Sequence, residues 1–583
     1  MPAAEPVPQP VPQPGPSPAA GQPGRPGPAG VPQAGLAASA PGPGSLSAET
    51  ATPAPGPGSP PSAAGAVTPE AGTGPRSAGA DPNGAVDARA AAPRVGLALI
   101  AALAVAVELA VSARYGYHRD ELYFLSAGQH LSFGYVDQPA LTPLLARLSS
   151  LATGGTLTGL RVLPALTLGV LVLLTAAISR RLGANRAGQL IAALATATCA
   201  EYLGALHLLT TTTPDMLAWA VTLYLSVRLL ESRDPRWWLP IGITVGVGLA
   251  AKWNIAFLAA ALLAGFAATA TARPLLRSRW LVAGAVIAAA LCAPDVIWQA
   301  MHGWPNLAVF RHLQGEAGHN RAVYWIAQVV YTGIAVTSLW IAGLIWSLRS
   351  AAGRTFRPAG IACAAVLVLQ FILGGKPYYP GGIYVFLFAA GAVPAGARLA
   401  ALPPLGGRVS RLAARMTVIV AAGAIGALVA LPLLPAAALH TVPLQKINYD
   451  LAETIGWPRQ VALIAREYHA LPAAQREDTT ILTANYGEAG AIARYGAGYG
   501  LPAAYSGQNS FWLWGPPPAS ATSALAIGLN PALLHQEFRQ VRQLATFRNG
   551  LGVDDDEQGT PVYLVSGLRK PWPQTWPAFR DYS

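Results

Sequence analysis

Long apolar stretches follow one another along the middle of the chain, from about residue 94 to residue 435. Several of them carry no charged residue at all, among them residues 95–107, 190–200 and 281–291. A helix needs about 20 largely apolar residues to cross the hydrocarbon core of a bilayer. Breaks at charged and Pro/Gly clusters divide the region into about eleven such segments. The expected helix centres are residues 104, 169, 197, 222, 244, 262, 289, 335, 366, 387 and 423.

Two segments of different character flank this apolar region. Residues 1–93 are mostly Pro, Ala and Gly without an aromatic residue, so they are predicted to be disordered because they cannot bury enough apolar surface to fold. In residues 436–583, the runs at 481–484 and 562–565 indicate buried strands and residues 452–469 a helix. The sequence therefore predicts an all-α polytopic membrane bundle over residues 94–435, followed by a small C-terminal α/β domain.

The composition agrees with a membrane protein. Hydrophobic residues make up 52% of the chain and charged residues 11%, whereas a soluble domain carries roughly 25% charged residues. An ordinary water-soluble enzyme is thereby excluded. Cys199, Cys292 and Cys363 all lie inside apolar stretches, which fits packed thiols and offers neither a disulfide framework nor a CxxC metal site.

The basic residues predict the orientation of the bundle. Arginines gather in alternate loops, as Arg180, Arg181 and Arg186; Arg228, Arg233 and Arg236; Arg273, Arg277 and Arg279; Arg349, Arg354 and Arg357; and Arg398, Arg408, Arg411 and Arg415. The long first loop, residues 114–160, is an exception because it also holds several arginines. Basic loops mark the cytoplasmic side. The N-terminal tail is therefore expected in the cytoplasm, and an odd number of spans places the C-terminal domain on the other side.

Candidate functional residues collect in loops of the opposite, non-cytoplasmic face. The first loop contains His118-Arg119-Asp120-Glu121-Leu122-Tyr123-Phe124 and then Gly134-Tyr135-Val136-Asp137-Gln138-Pro139, and later loops contribute Thr213-Pro214-Asp215, Lys252-Trp253-Asn254 and Lys376-Pro377-Tyr378-Tyr379. Segments starting at Asp120 and Leu141 are amphipathic and are expected to lie along the membrane interface. Ionisable groups at span ends are costly unless paired or used. Acidic residues and two lysines at one face suit a reaction that needs a base and a phosphate-binding cation.

Each of these residues has a plainer interpretation when it is taken alone. Carboxylates such as Asp120 and Glu121 are favourable at a helix start, Asp215 can cap a helix, and Lys252 or Lys376 can anchor a helix at the interface. Their coincidence at one membrane face favours a functional site. Residues 485–488 and 506–514 mix polar and aromatic side chains, which is typical of carbohydrate-facing surfaces and equally of a domain core or an interface.

The two first-loop motifs resemble the first outer loop of glycosyltransferase family 39, the dolichyl-phosphate-mannose protein mannosyltransferase superfamily, which includes the bacterial aminoarabinose transferases that modify lipid A. The later motifs at Asp215, Lys252 and Lys376 are similar to its bacterial branch. The similarity covers residues 95–400, with Ala140 at a position where a second proline is common.

The resemblance implies a C-type glycosyltransferase fold, in which the first outer loop builds the active site against the lipid. It assigns the catalytic base to Asp120, with Glu121 beside it to position the acceptor or the base. Lys252, Lys376 and Arg119, in that order, are the candidates for binding the donor phosphate. The expected substrate-binding residues are His118, Tyr123, Asp137, Gln138, Asp215, Tyr378 and Tyr379.

The expected activity is transfer of a sugar from a polyprenyl-phosphate donor to an acceptor outside the cytoplasm, with inversion implied by the family. The acceptor is a lipid, a polysaccharide or a protein; membrane lipids are further partners, and nucleic acid is not one. No cofactor is certain, and a divalent cation at Asp120 or Asp215 is left open. The alternative is a transporter or lipid flippase with an outer binding domain, although the chain lacks the internal repeat that is common in transporters.

Overall fold

The structure is a computed structural model that describes residues 93–401 and 408–583. The predicted disordered tail, residues 1–93, lies outside the described residues apart from Pro93. In the described region the chain forms a helical bundle followed by an α/β domain, which confirms the predicted fold class.

A helix covers each of the eleven predicted span centres. The first helices in chain order are α1 (Arg94–Val111), α2 (Arg119–Gln129), α3 (Leu141–Thr153), α4 (Leu157–Arg181), α5 (Arg186–Ala197), α6 (Ala200–Ala205), α7 (Thr212–Ser232) and α8 (Trp238–Leu249). The bundle continues with α9 (Ile255–Ala268), α10 (Arg279–Met301), α11 (Pro305–Gln314), α12 (Ala317–Thr332), α13 (Ile334–Arg349), α14 (Arg357–Leu373), α15 (Tyr384–Ala401) and α16 (Arg408–Ala430).

Fewer helices than eleven are individually long and apolar enough to cross a membrane. Within the described residues five meet that standard, namely α1, α4, α10 and the segments Arg354–Leu373 and Gly381–Ala401. A sixth is added if α12 and α13, which are bent by 105° at Gly333, count as one broken span. Short helices explain the difference: the 12 residues of α5 extend about 18 Å at the usual rise of an α-helix. The number of eleven spans stays a prediction.

Close helix packing in the bundle depends on glycine. Gly343 of α13 faces α15, where an added Cβ would lie 2.0 Å from the carbonyl oxygen of Leu387. Gly391 of α15 returns the contact, because its Cβ would lie 2.0 Å from the carbonyl oxygen of Leu339. The two backbones therefore touch directly, as in the small-residue packing of membrane helices.

The helix direction separates the arginine-rich ends from the candidate site. α7 carries Asp215 in its first turn and ends at Ser232, next to Arg233. At that far end Arg181 Nη1 contacts Glu231 Oε2 at 2.9 Å. Arg181 and Arg233, two of the arginines that predict the cytoplasmic face, therefore lie one helix length away from Asp215.

The C-terminal domain is a five-stranded sheet covered by helices. Its strands are β1 (Thr479–Thr483), β2 (Ala504–Ser506), β3 (Ser523–Ile527), β4 (Phe538–Thr546) and β5 (Pro561–Leu568), and its helices are α17 (Trp457–His469), α18 (Ala473–Glu477), α19 (Tyr486–Tyr495), α20 (Ser510–Leu513), α21 (Pro531–Glu537) and α22 (Trp572–Thr575). The strand order is β2-β1-β3-β5-β4, with β1 parallel to β2 and β3, and β5 antiparallel to both of its neighbours. The predicted strands are β1 and β5, and the predicted helix begins five residues later than expected, at Trp457.

The two first-loop helices differ in what they pack against. On α2, Leu122, Tyr123 and Ala127 are buried, and the first two belong to a cluster that includes residues of the C-terminal domain, so the expectation that these side chains face the membrane interface is wrong. Burial under α19 offers its apolar side chains more contact than an interface does. α3 instead leaves Leu148 and Leu151 exposed, as an interfacial helix requires.

Candidate active site

The candidate site starts at the first turn of α2. His118 Nδ1 accepts the backbone N–H of Asp120 at 3.1 Å, and Glu121 Oε2 accepts the backbone N–H of His118 at 2.9 Å. These bonds satisfy amide groups that a helix start otherwise leaves free. They hold α2 so that the Asp120 side chain remains 32% exposed. The hydroxyl of Tyr486, at the start of α19, donates to Asp120 Oδ1 at 2.8 Å.

Lys252 lies in the turn between α8 and α9, with its ammonium group against two aromatic rings. Its Nζ is 5.1 Å from the ring centroid of Tyr378 and 4.7 Å from that of Tyr379. Ring faces attract a cation without using its hydrogen-bond donors. Among the described residues, no carboxylate oxygen lies within 4.0 Å of Lys252 Nζ, the limit for an ion pair. The ammonium donors are therefore available to an anionic ligand.

The segment that carries Lys376, Tyr378 and Tyr379 is tied to the same turn. Asn254 Nδ2 donates to the carbonyl oxygen of Tyr379 at 2.9 Å, and Gln370 Nε2 donates to Asn254 Oδ1 at 2.9 Å. The Lys376 side chain is 36% exposed, and its Nζ lies 3.8 Å from Glu316 Oε2. The two predicted lysine motifs are thus joined through Asn254.

Asp215 is held behind this turn. It is buried, its Oδ1 accepts the indole N–H of Trp219 at 2.9 Å, and its Oδ2 accepts from Asn254 Nδ2 at 3.4 Å. Both oxygens therefore have protein partners, and Asp215 orients the Lys252 turn through Asn254. The predicted helix-cap role is not seen, because the helix does not use this side chain as its cap.

Electrostatic effects indicate that these residues lie near one another. Burial lowers the pKa of Lys252, Asp215 raises it, Lys376 lowers it, and Glu201 and Asp120 raise it. Burial raises the pKa of Tyr378 well above its usual value, and Tyr379, Asp450, Asp120 and Glu201 raise it further. Such influence requires proximity, so Asp120, Asp215, Lys252 and Lys376 are brought together at one end of the bundle.

Tyr123, Asp137 and Gln138 are the remaining candidates of the first loop. The Tyr123 hydroxyl donates to Asp137 Oδ1 at 2.6 Å, and its ring stacks on that of Tyr486 at a centroid distance of 4.7 Å. Burial raises the pKa of Asp137 to about 6, although the bond from Tyr123 opposes the shift. Gln138 is 2% exposed, and neither polar atom of its side chain has a hydrogen-bond partner. Tyr123 and Asp137 thus support Tyr486, while Gln138 keeps unused hydrogen-bonding capacity.

Glu121 does not face the pocket, contrary to the sequence prediction. It is fully buried and forms a two-point ion pair with Arg161, from Nε to Oε1 at 2.9 Å and from Nη2 to Oε2 at 2.7 Å. Its oxygens also accept the backbone N–H groups of His118 and Leu209. Since both oxygens are occupied, Glu121 is a structural residue that fixes the first loop to α4.

Arg119 is also directed elsewhere than the sequence analysis expects. Its Nη1 lies 3.1 Å from Asp556 Oδ2 and 3.5 Å from Glu453 Oε2. Its guanidinium carbon lies 5.5 Å from the ring centroid of Tyr449. These partners all belong to the region after α16, so Arg119 joins the first loop to that region and is not placed as a free phosphate ligand. His118 behaves similarly, with Nε2 3.6 Å from Asp450 Oδ1.

Sequence analysis missed three residues that contribute to the pocket. Tyr486 belongs to a polar and aromatic run that the sequence could not assign to a surface or an interface. Glu201 is a single acidic residue after an apolar stretch, a signal that by itself marks a candidate functional residue in a membrane protein. Asp450 lies in an irregular segment and has no recognisable sequence signal.

The described residues contain no group of three or more His, Cys, Asp or Glu side chains arranged to hold a metal ion. Asp120 and Asp215, the candidates from the sequence, are each bonded to a neutral donor, Tyr486 and Trp219 respectively.

One segment of the chain is similar to a known family. Residues 137–298 match the family model described as dolichyl-phosphate-mannose-protein mannosyltransferase. This segment includes Asp137, Gln138, Asp215 and Lys252. A search of curated proteins finds no match.

Among solved structures, the fold is similar to that of ArnT from Cupriavidus metallidurans bound to undecaprenyl phosphate. The two chains are 15% identical with a TM-score of 0.51, and the match covers 81% of this chain and 98% of ArnT. The apo structure of the same ArnT matches with the same identity and TM-score, over 81% and 97% of the two chains. The mycobacterial arabinofuranosyltransferase AftD is 14% identical with a TM-score of 0.45, over 83% of this chain and 42% of AftD. The ArnT match confirms the expected C-type glycosyltransferase fold.

Proposed function

We propose that this chain, a multi-pass membrane glycosyltransferase of the dolichyl-phosphate-mannose protein mannosyltransferase type, takes its sugar from a polyprenyl-phosphate donor and transfers it to an acceptor outside the cytoplasm. The observation that carries the proposal is Lys252. It is a cation without an ion-pair partner in the described chain, and it lies within electrostatic reach of the accessible carboxylate of Asp120. The pocket thus offers one group for a phosphate and one for a proton.

The donor phosphate fits between the two lysines. Lys252 holds its charge against Tyr378 and Tyr379, and the partly exposed Lys376 belongs to the same segment as these tyrosines. A phosphate in this position gains charge when its bond to the sugar breaks, and fixed cations stabilise that charge most strongly where water is scarce. The ArnT structure with undecaprenyl phosphate supports a lipid phosphate as the donor for this fold.

Asp120 is suited to act as the general base. Tyr486 occupies Oδ1, which leaves Oδ2 for the hydroxyl group of an acceptor. As the acceptor oxygen bonds to the anomeric carbon, its proton passes to Asp120, and the bond from that carbon to the phosphate oxygen breaks. The leaving group is polyprenyl phosphate. A single displacement of this kind inverts the anomeric configuration.

The first test is Asp120→Asn in the full-length protein, reconstituted in lipid vesicles. Loss of a general base lowers transfer by roughly 10²- to 10⁴-fold, while the amide keeps the shape of the side chain. Polyprenyl-phosphate sugars with radiolabelled mannose, glucose or arabinose would be supplied in turn, and label in glycolipid, polysaccharide and protein would be measured. Asp554→Asn, which removes an exposed carboxylate, is the matched control and is expected to keep full activity.

The same assay separates the transferase from a flippase. A transferase releases one sugar-free polyprenyl phosphate for each sugar that reaches the acceptor, whereas a flippase moves the donor without changing it. Undiminished transfer by Asp120→Asn would remove Asp120 from the mechanism. Absence of transfer by the wild-type protein with every donor would refute the proposed function itself.

A further inference from the structure

Glu201 is a buried carboxylate that the proposed reaction does not yet use. It lies in α6 with 7% of its surface exposed, and its Oε1 has no hydrogen-bond partner. Within the described residues it forms no ion pair either. A buried carboxylate without a donor is costly, and such a group in a membrane protein commonly marks a binding site.

The position of Glu201 is fixed by the loop that carries the lysine and tyrosines of the pocket. A Cβ added to Gly381 would lie 2.9 Å from Glu201 Oε1, so the carboxylate is pressed against the turn that directly follows Tyr378 and Tyr379. The hydroxyl of the next residue, Tyr202, donates to the carbonyl oxygen of Gly381 at 3.0 Å. Glu201 is thereby held at this loop, and Lys252 is within its electrostatic reach.

Three groups on the pocket wall then correspond to three parts of the reaction. Lys252 and Lys376 are the cations for phosphate, and Asp120 is the carboxylate with access to an acceptor. The anomeric carbon is one oxygen atom away from the phosphorus, so the sugar ring must lie beside the lysines. Glu201 lies against the turn that follows Tyr379, and its Oε1 has no protein donor among the described residues.

We propose that Glu201 is a sugar-recognition residue, whose carboxylate accepts hydrogen bonds from hydroxyl groups of the donor's sugar. This inference builds on the proposed function and names the part of the substrate that Glu201 contacts. A carboxylate rejects a sugar without the matching hydroxyl more strongly than an apolar wall does, because its oxygen is then left unpaired in the pocket. Glu201 therefore determines specificity at the sugar, while the lysines bind any polyprenyl phosphate.

The test compares two ligands on Glu201→Gln, which keeps the size of the side chain and removes its charge. Binding of sugar-free undecaprenyl phosphate and of the sugar-loaded lipid that the wild type uses would be measured on the full-length protein in nanodiscs. Loss of a charge-assisted hydrogen bond is expected to weaken binding of the sugar-loaded lipid roughly tenfold. Binding of the sugar-free lipid is expected to stay within about twofold, since the lysines are intact.

A donor series with single hydroxyl groups removed from the sugar identifies the bonded position. At that position, the deoxy donor is expected to bind the wild type and Glu201→Gln equally. Glu477→Gln, at an exposed glutamate of the C-terminal domain, is the matched control and should leave the binding of both lipids unchanged. The assignment would be overturned if Glu201→Gln weakened binding of both lipids equally, or if it changed the binding of neither. Both results leave sugar transfer by the wild type intact, so they are distinguishable from failure of the proposed function.

Discussion

Lys252 is a charged residue in a half-buried position, and this has a measurable effect on the pH dependence of donor binding. Burial lowers its pKa below that of a free lysine, which is about 10.4. Only the protonated form attracts the donor phosphate, so binding is lost as pH rises through the lowered pKa. The neighbouring tyrosines do not add to this loss in the same range, because burial raises the pKa of Tyr379 to about 12 and raises that of Tyr378 well above its usual value.

Lys252→Arg is therefore expected to remove the alkaline decline in kcat/KM, or to move it upward by about one pH unit or more, because arginine stays charged above pH 12. The measurement is a pH profile of kcat/KM, which reports groups of the free enzyme. Lys446→Arg, at an exposed lysine, is the control. Superimposable alkaline limbs for the wild type and Lys252→Arg would show that this lysine does not bind the donor.

At the residue scale, the sequence predicted positions better than contacts. Asp120, Lys252 and Lys376 were found because each is an ionisable residue at the end of an apolar segment, a pattern that is visible in one dimension. The contact of Tyr486 with Asp120 joins residues 366 positions apart, and no periodicity encodes such a pair. Glu121 follows Asp120 directly, and only the helix geometry shows that neighbouring residues point in different directions.

At the scale of elements, the packing of α19 on α2 controls the position of Tyr486. A Cβ on Gly490 would lie 2.8 Å from Leu122 Cβ and 2.9 Å from the carbonyl oxygen of Leu122. Tyr486 is one turn earlier on α19, so any separation of the two helices also moves its hydroxyl from Asp120. The sequence predicted both α2 and the C-terminal domain, but the glycine-dependent contact between them has no signal in hydrophobic pattern.

Gly490→Val is expected to destabilise this packing by about 1–3 kcal/mol, the usual cost of overfilling a packed site, and to lower transfer by roughly tenfold. Limited proteolysis of the C-terminal domain and the transfer assay would measure the two effects. Gly498→Val is the matched control, because Gly498 is exposed and a Cβ there meets no atom within 4 Å. Full activity of Gly490→Val would separate the domain packing from the reaction.

At the scale of the whole molecule, the arrangement of charge predicts an orientation that labelling can test. Gln543→Cys places a thiol on the exposed side of β4, and Asp234→Cys places one in an arginine-rich loop after α7. With the C-terminal domain outside, a membrane-impermeant maleimide is expected to label Gln543→Cys in intact cells. Asp234→Cys should react only after the membrane is permeabilised, and the reverse result would invert the proposed topology.

The fold class was predictable at this scale because apolar segments of membrane length are unmistakable. The lengths of individual helices were not, since α5, α8 and α9 are shorter than a usual span and only their packing against neighbours makes them part of the bundle. The two domains were also recognised separately, whereas Arg119 shows how they join: a residue assigned to phosphate has its partners in Asp556 and Glu453.

The bond between Asp120 and Tyr486 bears on how the protein matures. During synthesis the first loop is translated 366 residues before Tyr486, so Asp120 gains this hydroxyl partner only after the start of α19 has been made. A polypeptide interrupted after α16 would have the groups proposed to hold the lipid phosphate, but its base would lack the hydroxyl that orients it. Translation of the C-terminal domain is therefore a condition for orienting the proposed base, although that domain lies far from the first loop in the sequence.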